Sequence, residues 1–147
     1  MPLIEEDDLE QQDSPLESLQ QALNVLMPIR RQRLSRAQRQ QRQQQTLLAE
    51  AEAQQQAEEK QLVQDQQHYQ VQRERLQHHS SREKLTRHVN NELSALQTVD
   101  QQKKQCQQAQ YSCQQAAYAL EQATEWAREQ QKAVEKLDYL SEHLEDA

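Results

Sequence analysis

After Pro28 the chain runs 119 residues without a proline or a glycine, the two strongest breakers of regular structure. What fills that stretch is mostly Gln, Glu, Ala, Leu, Arg and Lys, all strong helix formers. Glutamine alone accounts for 33 of the 147 residues, phenylalanine is absent, and aromatic residues make up 3%. Such a chain cannot build a compact domain around a bulky core. With no glycine there is no P-loop, no dinucleotide fingerprint and no nucleophile elbow, since each uses backbone that only glycine adopts easily. The reading is an extended coiled coil or a disordered polar chain, without a cofactor and not an enzyme.

A period of seven tests the first alternative. From Met27 it gives Met27, Leu34, Gln41, Leu48, Gln55, Leu62, Tyr69 and Leu76, and three residues later Arg30, Ala37, Gln44, Ala51, Glu58, Asp65, Gln72 and His79. One column is largely apolar and the other small or polar, which makes a weak coiled-coil seam. In the second half the columns are Val99, Cys106, Cys113, Leu120, Ala127, Val134 and Ser141, then Gln102, Ala109, Ala116, Ala123, Gln130, Leu137 and Leu144. Alanine at this density lets a second helix approach closely, with Leu and Tyr filling the spaces between.

Between the halves lies a polar centre, His78-His79-Ser80-Ser81-Arg82-Glu83 and then His88-Val89-Asn90-Asn91. Ser80 and Glu83 have capping-box spacing, and Asn90 and Asn91 tolerate the left-handed conformation. The expected organisation is an acidic tail with a short amphipathic helix over 1–28, a first long helix over 29–79, a hairpin tip over 80–91 and a second long helix over 92–147. The two arms then have similar lengths, about 80 Å at 1.5 Å per residue. The fold class is all-α, an antiparallel two-helix coiled-coil hairpin with a flexible acidic N-terminal tail and a short N-terminal helix. The competing arrangement is one unbroken helix in a parallel dimer. Ser14, Pro15 and Glu17 form the expected start of the short helix, and Pro28 is expected to kink or interrupt it. A seam so rich in glutamine predicts a marginal, partly molten monomer or weak self-associating chain that orders on docking.

Charge is divided along the chain. The net charge is −7. Residues 1–26 carry seven acids and no base, whereas residues 29–49 carry Arg30, Arg31, Arg33, Arg36, Arg39 and Arg42 and no acid. The arginine run admits three readings: a solvated helix face, a basic region leading into heptads that binds DNA, or a docking surface for an acidic protein. The DNA reading needs strong leucine columns after the basic region, and here leucine alternates with glutamine. Tyr111, Tyr118, Trp126 and Tyr139 read as padding of the seam, with Trp126 the best single anchor for a partner.

Cys106 and Cys113 are two helical turns apart, too far for an intrahelical disulfide, and read as reduced thiols in the seam. The five histidines have no metal-ligand spacing, so no metal is expected. The opening Met-Pro-Leu-Ile-Glu-Glu-Asp-Asp lacks a basic region followed by an apolar stretch, and no apolar run is long enough to span a bilayer. The expectation is a cytoplasmic chain without membrane insertion.

The stretch Leu26-Met27-Pro28-Ile29-Arg30-Arg31-Gln32-Arg33-Leu34-Ser35-Arg36-Ala37 resembles the opening of the FliJ/YscO/HrpO family, coiled-coil stalk proteins of flagellar and type III secretion systems. Ala119-Leu120-Glu121-Gln122-Ala123, Ala127-Arg128-Glu129-Gln130-Gln131-Lys132 and Glu135-Lys136-Leu137 look like that family's second helix, and the plant-pathogen HrpO type looks nearest. The likeness covers residues 16–144; the acidic extension before Met27 departs from members that begin at the arginine-rich start. The resemblance implies an antiparallel hairpin whose paired termini enter a hexameric secretion ATPase and whose tip points to the export gate at the inner membrane. It assigns Arg30, Arg31, Arg33, Arg36, Trp126 and Lys132 to the ATPase and its regulator. It assigns Leu62, Tyr69, Leu76, Leu85, Val89 and Leu93 to the gate. The role implied is mechanical coupling in protein transport and virulence, without nucleic acid. The alternatives are a nucleic-acid-binding coiled coil that uses the arginine run and a generic coiled-coil scaffold or chaperone.

Overall fold

In a computed structural model, residues 15–78 and 82–146 are described, with side-chain exposure defined as far as Leu144. Two helices account for nearly all of them: α1, Pro15–Leu76, and α2, Arg82–Asp146. The chain is all-α, a two-helix hairpin. The acidic stretch 1–13, the Ser14 cap, and His79, Ser80 and Ser81 lie outside the described residues.

Pro15 occupies the first helical position, where its missing N–H costs nothing, and Glu17 sits in the first turn near the positive end of the helix dipole. Arg73 and Arg75 sit in the last turn near the negative end. There α1 tightens: Gln77 N–H donates to the Glu74 carbonyl at 3.1 Å and His78 N–H to the Arg75 carbonyl at 3.3 Å. Glutamine supports the helices locally. Gln54 donates to Glu58 at 2.7 Å, Gln55 to Glu59 at 3.2 Å and Gln61 to Asp65 at 3.0 Å, each four residues on.

The expected boundaries shift at two places. Pro28 does not interrupt anything: the short helix is the first turns of α1. Its ring removes the donor to the Asn24 carbonyl, but Pro28 and Asn24 are both exposed, so water can satisfy that carbonyl. The tip is also shorter than 80–91. Asn90 and Asn91 are helical, and no described residue has a positive φ. Half-burial of His88 and Glu92 and burial of Ala95 carry the seam past these asparagines, and packing outweighs their modest helix propensity.

The seam itself follows the period of seven. Between Leu23 and Leu76 the covered positions of α1 advance by alternate steps of four and three, and every other position is exposed. In α2 the same alternation runs from His88 to Leu144, joined by Ala119, Thr124, Ala133 and Asp138 at its edges.

Two compact units divide the hairpin. The first combines the part of α1 up to Gln43 with the part of α2 from Glu121. Its apolar core is Leu23, Ala37, Ala123, Ala127 and Val134. Two cross-helix contacts, Arg31 with Asp138 and Gln41 with Thr124, show the helices antiparallel there. The second unit spans Gln44–Leu120, with a core of Ala95, Val99 and Ala109. Glu58 with Gln102 and Tyr69 with Glu92 show the same antiparallel sense. Five of these eight buried apolar residues are alanines, and among the described residues no large side chain is completely buried. A buried methylene or methyl contributes about 0.8 kcal/mol, against roughly 1.5–3 for a bulky side chain, so both cores are thin.

Candidate partner-binding surfaces

The arginines leave the seam almost at once. Arg30 sits half-buried in the seam of the first unit, while Arg31, Arg33, Arg36 and Arg39 are exposed. Arg31 Nη2 donates to Asp138 Oδ1 at 3.4 Å, with the two side chains 65% and 47% exposed. Such a solvated pair contributes about 0–1 kcal/mol, so it orients Arg31 more than it stabilises the fold. Among the described residues no carboxylate pairs with Arg33, Arg36 or Arg39. The three are separated by steps of three, so they spiral across the outer surface of α1.

On α2 the same unit exposes Trp126 and, two to four turns later, Lys132, Lys136, Tyr139 and Leu140. With Glu135, these last four line a shallow depression on one helix face, where lysine stems flank the tyrosine ring. Tyr139 packs on His143 with ring centroids 3.9 Å apart, and His143 Nδ1 lies 3.0 Å from the Tyr139 carbonyl. All six residues expected on the ATPase side therefore fall in one unit, five of them exposed. Tyr139 and Leu140 extend the surface beyond the expected set. Tyr111 and Tyr118 are exposed as well and do not pad the seam.

The six residues expected on the gate side all belong to the second unit but separate into two groups. Leu62, Tyr69 and Leu76 are half-buried seam residues, and Tyr69 Oη donates to Glu92 Oε1 at 3.4 Å. They hold the helices together and present little surface to a partner. Leu85, Val89 and Leu93 are exposed on α2, and Leu96 continues their line. Leu96 was legible as the next member of that 4-4-3 spacing. A polar groove near this stripe is lined by His68, Gln72, Asn91, Ser94, Ala95 and Thr98, and Gln72 Oε1 is buried without a hydrogen-bond partner among the described residues.

Cys106 and Cys113 are free thiols, both half-buried in the seam. Desolvation pushes the Cys106 thiol above its ordinary value; Glu58 and then Glu59 push the same way, while a hydrogen bond with Gln102 opposes them. Among the described residues no three His, Cys, Asp or Glu side chains are grouped so as to hold a metal ion. No described helix is long and apolar enough to cross a membrane.

The chemistry available is recognition through guanidinium, lysine and exposed aromatic groups in one unit and through an aliphatic stripe in the other. Comparison with known proteins adds no relative: no protein-family model, curated protein or solved structure matches this chain.

Proposed function

We propose that this chain is a central-stalk component of a type III protein secretion apparatus, a cytoplasmic coiled-coil hairpin peripheral to the inner membrane that couples a hexameric secretion ATPase to the export gate. The observation that carries the reading is the pairing of an unbroken heptad seam with a thin alanine core. A hairpin held this weakly gains order from whatever encloses it. The likeness of residues 26–37 and 119–137 to the FliJ/YscO/HrpO family supplies the identity of the enclosing partner. Arg31, Arg33, Arg36, Trp126 and Lys132 face the ATPase and its regulator in this reading, and Leu85, Val89 and Leu93 face the gate. The chain transmits state and performs no chemistry of its own.

Co-purification with the secretion ATPase, its regulator and the gate protein tests it. Arg33→Glu with Arg36→Glu should weaken ATPase binding by about tenfold or more while leaving helicity intact, as expected when two exposed charges at an interface are reversed. Absence of association with any of the three partners ends the reading.

The exposed Arg33, Arg36 and Arg39, without an ion pair among the described residues, also suit a polyanion. Duplex DNA binding that falls steeply with salt and is lost in the same double variant would favour a nucleic-acid-binding coiled coil instead.

A further inference from the structure

One face of α1 lies outside the seam and changes character along its length. Leu19, Ala22, Leu26, Ile29, Arg33 and Arg36 follow one another by steps of three and four, and all are exposed. Leu19, Leu26 and Ile29 keep 49%, 41% and 42% of their surface open, although each could bury it against a neighbour. The stripe is thus apolar over four positions and cationic over the next two, and nothing among the described residues covers it.

Residues 1–14, which lie outside the described residues, read Met-Pro-Leu-Ile-Glu-Glu-Asp-Asp-Leu-Glu-Gln-Gln-Asp-Ser, with six acids and no base. Counted back from Pro15, Leu9 comes first and the run Asp8, Asp7, Glu6, Glu5 follows. Counted forward, the aliphatic positions of the stripe come first and the arginines follow. The two orders are complementary if the segment folds back along the helix.

The reach also agrees. Asp8 and Glu5 lie seven and ten residues before Pro15, so an extended return at roughly 3.4 Å per residue carries them about 24 and 34 Å, less about 7 Å for the reversal. Ile29, Arg33 and Arg36 stand roughly 21, 27 and 32 Å beyond Pro15 at the helical rise, and Arg42 about 40 Å. Glu5 therefore comes level with Arg33, Glu6 and Asp7 end about 3 and 7 Å short of it and within side-chain reach, and Asp8 stops near Leu26. Glu5 meets Arg36 through its long side chain, and none of them reaches Arg42. Leu9 falls between Ala22 and Leu26.

We propose that residues 5–9 of this chain dock intramolecularly on that stripe, the Glu5, Glu6 and Asp7 carboxylates on Arg33 and Arg36 and Leu9 on the aliphatic positions before them. Each exposed ion pair is weak, and salt screens it. Tethering compensates, because a short linker holds the segment at millimolar effective concentration over its site. The result is a displaceable cover: an acidic partner must compete with the chain's own carboxylates for these two guanidinium groups. This contact stands whether or not the partner is a secretion ATPase.

The test is a nitroxide at Ile4→Cys in the full chain carrying Cys106→Ala and Cys113→Ala, read by amide broadening along α1. At about 50 mM NaCl, amides of residues 26–36 should lose roughly half their intensity, and about 1 M NaCl should restore it as screening removes the pairs. Neutralising the acids (Glu5→Gln, Glu6→Gln, Asp7→Asn, Asp8→Asn) or reversing Arg33 and Arg36 to Glu should restore it at low salt, whereas Arg42→Gln should not. Helicity by circular dichroism accompanies each variant, and the salt series on the unreversed chain answers independently of folding. Uniform broadening, broadening indifferent to salt, or broadening of an isotope-labelled chain by a separate nitroxide-labelled copy overturns the proposal; the last would mean that two copies exchange segments.

Discussion

Gln102 Nε2 donates to the main-chain carbonyl of Glu58 at 3.0 Å and also to the Glu58 carboxylate, 44 residues earlier in the chain. One amide therefore serves two acceptors on the facing helix, at a seam position where an aliphatic side chain would ordinarily sit. The same carboxylate receives Gln54 from its own helix. The seam here is a hydrogen-bonded junction.

Gln102→Leu should accordingly destabilise the hairpin by about 1–2 kcal/mol, because one carboxylate oxygen of half-buried Glu58 loses its donor while the other keeps Gln54. Adding Glu58→Leu should recover most of that loss, since the stranded acceptor is then gone. Urea denaturation of both singles and the double gives the coupling. Additive losses would remove the junction from the argument.

Gln72 and Gln130 lie in the seam with Oε1 atoms buried and without a hydrogen-bond partner among the described residues. Replacing either by Leu should raise stability by about 1–2 kcal/mol by removing a desolvated acceptor and adding apolar area. The urea midpoint is the measurement. A fall in midpoint for both would mean that the oxygens are satisfied in solution.

Pro28 within α1 makes a separate prediction. Pro28→Ala restores a donor to the Asn24 carbonyl and removes a ring clash, so helicity and thermal midpoint should both rise, the gain being about 1–3 kcal/mol. An unchanged midpoint would show that the first turns of α1 contribute little to the cooperative unit.

Cys106 sets an alkaline limit. Its thiol is raised from 9.0 in the folded chain, chiefly by desolvation, so the folded form holds that proton more tightly than the unfolded form. The contribution to stability is full below 9.0 and is lost as pH climbs through the raised value. The thermal midpoint should therefore fall more steeply above pH 9.0 in the unaltered chain than in Cys106→Ala. Parallel pH profiles would sink this assignment.

The seam was legible because a period of seven is a property of the whole helix. Each position of the two columns that is described proves covered, down to Glu58, Asp65 and Gln102, whose chemistry alone would have put them outside. The ends of the helices were less legible. Asn90 and Asn91 carry the local signature of a turn, yet His88, Glu92 and Ala95 continue the covered frame on either side of them. Two of those three are polar and hid the continuation. Pro28 misled for a related reason: its cost depends on whether the freed carbonyl meets water, which no local pattern states. Among the candidate contact residues, Leu62, Tyr69 and Leu76 were correctly placed in the heptad frame, and that very placement turns them toward the other helix.

The alanine-rich seam leaves one further consequence. Where the buried positions are small, as at Ala37, Ala95, Ala109, Ala123 and Ala127, sliding one helix past the other by a heptad, about 10.5 Å, would re-form part of the same apolar contact. The polar pairs cannot be re-formed so easily. Gln102 with Glu58 and Tyr69 with Glu92 in one unit, and Gln41 with Thr124 in the other, each occur where both members face each other. They act as vernier marks on two nearly featureless scales, singling out one alignment that hydrophobic matching alone would leave almost degenerate.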